Sequence, residues 1–173
     1  MAKRDNFKEA PVVSEFEESV IALNRSAKVV KGGKNFSFGA LVAVGDRNGR
    51  VGYGYGKANE VSDAIRKGSE AARKNIFNVP MNGNTIPHEI EVKFGGAKVL
   101  LRPASAGTGL IAGGAVRSIL ELAGVQDVLA KSLGASNAAN VAKATFKAIA
   151  GLSTREQALA RRGIVVKAET EAN

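Results

Sequence analysis

Two short β-forming segments flank the run Gly-Asp-Arg-Asn-Gly at residues 45–49, and this arrangement constrains the fold more than any other feature of the chain. The segments at 36–44 and 50–57 have the residue types and spacing of strands. The Asn-Gly pair that ends the run suits the positive φ angles of a tight hairpin loop. An earlier β-branched segment at 20–30 leads into a Lys-Gly-Gly-Lys turn at 31–34. The sequence therefore predicts a three-stranded antiparallel meander.

The third predicted strand has glycine at every second position. Val51, Tyr53 and Tyr55 fall on one face and glycines on the other. Because the chain has only seven Phe, two Tyr and no Trp, we expect Tyr53 and Tyr55 to pack in the core beneath the following helix. Base stacking is the alternative. Glycine leaves the backbone bare, so the face that includes Gly54 is predicted to let RNA approach closely.

An amphipathic helix is predicted after the meander, capped by Asn59 or Ser62 and ended before Pro80. Helix and sheet would form a two-layer unit large enough to fold alone. We place a domain boundary at 79–87. The second half is predicted to contain, in order, strands at 88–94 and 98–102, a glycine-rich loop at 106–114, a helix at 115–123 ended by Gly124, a short strand at 125–132, a helix at 138–150 capped by Asn137, and a helix near 154–162.

The chain is strongly basic, with 25 Lys and Arg against 16 Asp and Glu and a pI near 10.0. We therefore expect a polyanionic partner, nucleic acid first and an acidic membrane surface second. The absence of cysteine excludes disulfides, thiolate nucleophiles and Cys-ligated metals, and with a single histidine no metal site is predicted. Without an apolar run of membrane-helix length or a signal-like N-terminus, a cytoplasmic protein is expected.

The excess positive charge is concentrated in one segment. Residues 19–80 hold 11 Lys and Arg but only 4 Asp and Glu, and no acid lies between Glu18 and Asp46. A solvated face kept basic for solubility would normally mix its signs, so we favour an RNA-binding surface over that alternative. The predicted contacts are Arg25, Lys28, Lys31, Gly32, Gly33, Lys34, Arg47, Arg50, Gly54 and Lys57.

A glycine-rich loop in the second half imitates a cofactor site. Residues 107–112 match a relaxed dinucleotide-binding pattern, and Asp127 lies about twenty residues on. A dinucleotide domain, however, needs parallel strands joined by crossover helices, and a hairpin precedes this loop. No Gly-Lys-Ser/Thr follows a glycine-rich loop, and we interpret His88 as a structural or surface residue. The sequence therefore predicts neither an enzyme nor a cofactor.

Ordered motifs along the chain resemble a single family. The first half contains NRSAKVVKGGKNFSFGALVAVGDRNGRVGYGYGK at 24–57. The second half contains TIPH at 85–88, KVLLRPA at 98–104, GTGLIAGGAVR at 107–117, VLAKSLG at 128–134 and NVAKATF at 140–146. Over roughly residues 16–163 the chain resembles the family of bacterial small-subunit ribosomal protein five, and this ordered set is more specific than any single motif.

The resemblance implies an α+β fold with two small domains. The N-terminal one would be a double-stranded-RNA-binding-like three-stranded antiparallel sheet plus helix, and the C-terminal one an α/β domain with a left-handed βαβ crossover. The implied division is a flexible tail at 1–15, the first domain at 16–79, the second at 80–163 and a tail at 164–173.

The resemblance also implies a structural constituent of the small ribosomal subunit, cytoplasmic and on the ribosome, that binds small-subunit rRNA and stabilises the head relative to the body. The hairpin at 31–34 would reach into rRNA near the spectinomycin site, and Arg25 would lie towards the channel where mRNA enters. Thr108, Gly109 and Arg117 would meet ribosomal protein four, and protein eight is the other expected neighbour. An influence on translational accuracy would be shared with proteins four and twelve. No homo-oligomer is expected, and a free regulatory RNA-binding protein is the alternative.

Overall fold

The computed structural model describes residues 16–164, so the tails predicted at 1–15 and 164–173 lie, except for Ile164, outside the described residues. Within this range the chain forms two four-stranded sheets and four helices. In chain order the elements are β1 (Glu17–Val30), β2 (Gly33–Gly45), β3 (Arg50–Ala58), α1 (Val61–Lys74), β4 (Phe77–Asn78), β5 (Ile90–Phe94), β6 (Ala97–Pro103), β7 (Leu110–Ile111), α2 (Gly114–Ala123), β8 (Val128–Gly134), α3 (Ala138–Gly151) and α4 (Arg155–Arg161).

The first sheet is antiparallel throughout, in the order β1-β2-β3-β4. The predicted meander is therefore present, and the two-domain α+β class is confirmed. The meander is extended by β4, which pairs Phe77 with Val51. A strand of two residues has too little periodicity to be recognised in a sequence, and this is why three strands were expected.

Helix α1 packs on the face of the first sheet where β3 has only glycine. Gly52, Gly54 and Gly56 are buried, and a Cβ at Gly54 would overlap the carbonyl oxygen of Gly68. The backbones of helix and strand therefore lie in direct contact. The expectation that the tyrosines pack beneath this helix is wrong, because their side chains leave β3 on the opposite face.

The opposite face of the first sheet packs on the second half of the chain. Leu41 and Val51 are buried in the same apolar cluster as residues of α2 and α3. Tyr53 stacks on Phe146 of α3 with 4.4 Å between ring centroids, whereas Tyr55 is 58% exposed. The first sheet is thus covered on both faces, and the expected two-layer unit is part of a three-layer arrangement.

The second sheet is mixed, in the order β5-β6-β8-β7. The predicted hairpin is present as β5 and β6, joined at Gly95, which has a φ of 57°. Strand β7 runs parallel to β8 with α2 between them, which is the connectivity of a βαβ crossover. Helices α2 and α3 contribute buried side chains such as Ile119 and Ile149 to the shared core, together with Val99 of β6. The left hand of the crossover stays a prediction.

Helix ends follow the expected chemistry except at α1. Asn137 caps α3 by accepting a hydrogen bond from the Ala139 N–H at 3.0 Å, and Gly124 ends α2 with a φ of 85°. The predicted caps of α1 are wrong, because its N-cap is Glu60, whose side chain makes no capping hydrogen bond. The β3 strand continues to Ala58 and places Asn59 outside the cap position.

Candidate nucleic-acid interface

The outer part of the β1–β2 hairpin, residues 23–38, projects from the molecule and is called here the basic arm. Every residue from 23 to 36 is exposed. The strands stay paired to the tip, where Val30 faces Gly33 across a loop formed by Lys31 and Gly32. Gly33 has a φ of 150°, which a residue with a side chain rarely adopts, so the Gly-Gly pair sets this tight turn. The arm is therefore a regular hairpin held by backbone hydrogen bonds rather than by a core.

Pairing across the arm separates its side chains into two chemically different faces. Cross-strand partners point to the same side of a hairpin. One side, the polar face, has mainly hydrogen-bonding groups: Asn24, Ser26, Lys28, Asn35 and Ser37. The other side, the aromatic face, is mainly apolar: Leu23, Arg25, Ala27, Val29, Lys34, Phe36 and Phe38.

The lysines of the arm are free for a partner. Lys28, Lys31 and Lys34 are exposed, and within residues 16–164 none of them forms an ion pair with Asp or Glu. The arm itself contains no acidic residue. Unneutralised cations on a projecting hairpin create a local positive potential, which phosphate groups would neutralise with release of counterions.

Arg25 is held in place by an aromatic ring. Its guanidinium carbon lies 4.1 Å from the centroid of the Phe36 ring, diagonally across the hairpin. This cation–π contact restricts a side chain that would otherwise sample many rotamers. Phe36 was missed in the sequence, although the position of the turn at 31–34 fixes a register in which it lies next to Arg25.

Arg47 and Arg50 lie at the other end of β2, away from the arm. The 13 residues of that strand separate its ends by roughly 40 Å. Arg47 forms a 2.7 Å ion pair with Glu17, and Arg50 a 2.6 Å ion pair with Asp46. The structure therefore does not bring these two arginines together with the predicted arm residues.

Asp46 organises the turn that carries these arginines. Its Oδ1 accepts hydrogen bonds from the backbone N–H groups of Asn48 and Arg50 at 2.9 and 3.0 Å. Burial opposes ionisation, but the hydrogen bonds from the Arg50 side chain and from these two N–H groups outweigh it, so the pKa of Asp46 lies below its usual 3.8. The positive φ angles fall on Arg47 (57°) and Gly49 (88°), so the expectation for Asn48 is wrong.

The remaining two predicted RNA contacts differ in their surroundings. Lys57 is exposed and pairs with Gly39, which pairs in turn with Asn24, so it lies beside the base of the arm. Gly54 lies against α1, and the prediction that its bare backbone meets RNA is wrong because the helix occupies that space.

The glycine-rich loop of the second half is fixed by a buried aspartate. Asp127, 5% exposed, accepts a 2.8 Å hydrogen bond from the Gly109 N–H through Oδ1. The hydroxyl of Thr85 donates to the Asp127 carbonyl oxygen at 2.6 Å and accepts from the Ala104 N–H at 3.3 Å. The Gly109 N–H, which a cofactor phosphate would need as a donor, therefore already donates its hydrogen bond to the Asp127 carboxylate. Thr108, the residue before Gly109, is exposed.

Arg117, also predicted at a protein interface, lies near the start of α2 and is exposed. The glycines at 113 and 114 that precede it have open space around them. Thr108 and Gly109 lie in the loop before β7 and Arg117 lies in α2, so the three belong to one loop-and-helix segment outside the basic arm. The structure places them as a separate surface.

His88 has a structural environment, as expected. Its Nδ1 lies 2.9 Å from the Glu89 carbonyl oxygen, and Nε2 accepts a 3.3 Å hydrogen bond from the Ser153 N–H. Among residues 16–164, no three His, Cys, Asp or Glu side chains are grouped as a metal site would require. The same part of the chain has no helix with the length and apolar character needed to cross a membrane.

Comparison with known proteins addresses the family directly. The family model for ribosomal protein S5, N-terminal domain, matches residues 16–80, and that for ribosomal protein S5, C-terminal domain, matches residues 92–162. A relative from Protochlamydia amoebophila (strain UWE25), "Small ribosomal subunit protein uS5", is 59% identical over 151 residues, which are 87% of this chain and 90% of that protein. Both halves match in the order expected from the motifs, and the chain belongs to the ribosomal protein S5 family.

Proposed function

We propose that the chain binds small-subunit rRNA through the basic arm and holds rRNA segments in position. Its family makes it a structural protein of the small ribosomal subunit and not an enzyme. The observation that carries the binding mode is the arm, a projecting hairpin with four cationic side chains and no acid. Such a shape can enter a junction between RNA strands, where phosphates from more than one strand are within reach.

The finer role extends the same proposal by resemblance. The arm would stabilise the head of the subunit relative to its body near the spectinomycin site, with Arg25 towards the mRNA channel. The segment with Thr108, Gly109 and Arg117 would contact ribosomal protein four, and protein eight would be a second neighbour. This contact would influence translational accuracy together with proteins four and twelve. The support from the structure is that Asp127 anchors the loop while Thr108 and Arg117 stay exposed.

The salt dependence of rRNA binding tests the role of the arm. Each phosphate contact by a lysine adds about one to the slope of log K against log salt concentration. Replacing Lys31→Ala and Lys34→Ala together should therefore reduce the slope by about two. The measurement is a titration of a small-subunit rRNA fragment with the full chain at several salt concentrations.

A charge-preserving pair is the matched control for this titration. Lys31→Arg with Lys34→Arg keeps both cations on the same backbone and should leave the slope unchanged. An unchanged slope in the double alanine variant would remove the arm tip from the RNA-binding surface.

A further inference from the structure

The aromatic face of the basic arm has a composition that phosphate binding does not require. Val29 is 72% exposed, Leu23 is 45% exposed and Phe36 is 42% exposed. Three large apolar side chains on one side of a thin hairpin cost free energy in water unless a partner covers them. A sugar–phosphate backbone offers no apolar surface that would do so, whereas the face of a nucleobase does.

Arg25 gives this face a planar cationic group. The guanidinium carbon lies 4.1 Å from the centroid of the Phe36 ring, and the residue is nevertheless exposed. A guanidinium is flat and stacks on aromatic planes with either side. With one side occupied by Phe36, the other is available for a second aromatic plane at little further entropic cost.

The arm's charge decides which aromatic plane fits. With Lys34 on the same face, Lys28 and Lys31 elsewhere on the arm and no acid in the arm, the partner that carries the plane should be negatively charged. Proteins bind unpaired RNA bases by stacking them on aromatic side chains and on arginine planes, with cations holding the adjoining phosphates. Bases inside a duplex are already stacked and cannot enter such a site.

We propose that Arg25 and Phe36 form a stacking site for an unpaired RNA base, in the order Phe36, Arg25, base. The inference rests on the proposed RNA-binding function. It specifies the ligand of the aromatic face as the base of a single-stranded nucleotide rather than a phosphate of a duplex. The base comes either from rRNA or from another RNA strand that passes the arm. A protein partner that packs on the same apolar side chains is the competing occupant.

Fluorescence of a base analogue tests the site directly. The probe is a single-stranded RNA of about ten nucleotides with one 2-aminopurine, compared with the same strand in a duplex. The full-length chain should change the fluorescence of the analogue in the single strand, because the analogue leaves the quenching stack with its RNA neighbours when it moves onto Arg25. Phe36→Leu, which keeps an apolar side chain, and Arg25→Lys, which keeps the charge, should each weaken binding of the single strand about five-fold or more and abolish this change. Binding of the duplex should change little.

Phe94→Leu is the matched control. Phe94 is 37% exposed and also lies below a cation, Lys143 at 5.5 Å, but on the second sheet. It should behave as the unaltered chain. A fluorescence change that survives in both Phe36→Leu and Arg25→Lys, or that never occurs, would overturn the stacking site and leave a protein partner for the aromatic face. The Lys31→Ala and Lys34→Ala titration separates this failure from failure of RNA binding itself.

A chemical footprint distinguishes the two sources of the base. Small subunits reconstituted with the unaltered chain or with Arg25→Lys would be probed with a reagent that acylates the 2′-hydroxyl of flexible nucleotides whatever their base, with and without a bound messenger strand. A base that only the unaltered chain protects identifies the source. If this base lies in rRNA and is protected without a messenger strand, the ligand is rRNA. If it lies on the messenger strand, the ligand is the messenger. Identical reactivity everywhere would refute the site.

Discussion

The ionised carboxylate of Asp46 contributes to the stability of the fold. Its side chain is only 4% exposed, and its lowered pKa means that the folded chain favours the ionised form. Asp46→Asn should therefore lower the free energy of unfolding by about 1 kcal/mol at neutral pH. Because the folded pKa is depressed, this contribution is present above the unfolded pKa near 3.8 and is lost as pH falls through the folded value. Urea unfolding of both chains from pH 7 downwards measures it.

A half-exposed aspartate provides the control for this pH series. The side chain of Asp63 is 50% exposed and pairs with Arg66 on α1. Asp63→Asn should change stability by only a few tenths of a kcal/mol. A difference between Asp46→Asn and the unaltered chain that persists at the lowest pH would assign the loss to altered turn geometry rather than to charge.

Gly54 carries a tight steric constraint that can be tested by a single substitution. In Gly54→Ala the new Cβ would overlap the backbone of Gly68 and Ala72, so helix and strand must separate. We expect a loss of about 3 kcal/mol in the free energy of unfolding, measured as a lower urea midpoint. Gly32→Ala is the control, because nothing lies within 4 Å of its Cβ position. Equal midpoints for both variants would contradict direct contact between α1 and β3.

The alternation of Gly and Tyr in β3 shows where sequence reasoning stops at this scale. The spacing correctly separates two faces, but it contains no information on which face a helix takes. We assigned the helix to the tyrosine face because rings fill cores. The fold instead places Gly54 and Gly56 against Gly68, and this close approach depends on residues distant in sequence.

At the level of elements, the basic arm should be dispensable for folding. Replacing residues 27–36 by Asn-Gly joins Ser26 to its cross-strand partner Ser37 and retains the hairpin register. Since the removed residues are all exposed, the midpoint of thermal unfolding should stay within about 3 °C. Affinity for an rRNA fragment should fall about ten-fold or more with the loss of three lysines. Loss of cooperative unfolding would show instead that the arm supports the core.

The hairpins were predictable because their signals are local. The turns at 31–34 and 45–49 lie between β-branched segments, and strand pairing follows from them. Pairings that depend on contacts across the chain were not predictable. Strand β4 forms because the segment after α1 returns to pair with β3. The loop at 107–112 matches a cofactor pattern in the sequence, but the structure shows that Asp127 accepts the hydrogen bond from its Gly109 N–H.

At the scale of the whole molecule, the shared core should make the two halves unfold together. Phe146 of α3 is 4% exposed and contacts Tyr53 and Phe77 of the first half. Phe146→Ala should lower the free energy of unfolding by about 3–5 kcal/mol. Both tyrosines lie in β3 and the chain has no Trp, so tyrosine fluorescence reports on the first half and, through the contact of Tyr53 with Phe146, on its packing against α3.

Coincidence of two signals is the test. Tyrosine fluorescence and far-ultraviolet circular dichroism should follow one transition in the unaltered chain and in Phe146→Ala. Phe94→Ala, which removes a half-exposed ring, should shift that transition much less. If the midpoint of the tyrosine fluorescence transition is the same in Phe146→Ala as in the unaltered chain, the first half is stable without the second.

The same long strand that forms the arm also connects its tip to the core. Strand β2 continues without interruption from Gly33 to Gly45, and the turn beyond it donates the Arg47 N–H to the Leu122 carbonyl oxygen of α2 at 2.9 Å. A pull on the tip along the arm acts on both strands in the same direction, so it is carried into the core by two covalent backbones. A sideways force instead bends a ribbon that is only two strands wide. The arm is therefore stiff along its length and compliant to lateral displacement.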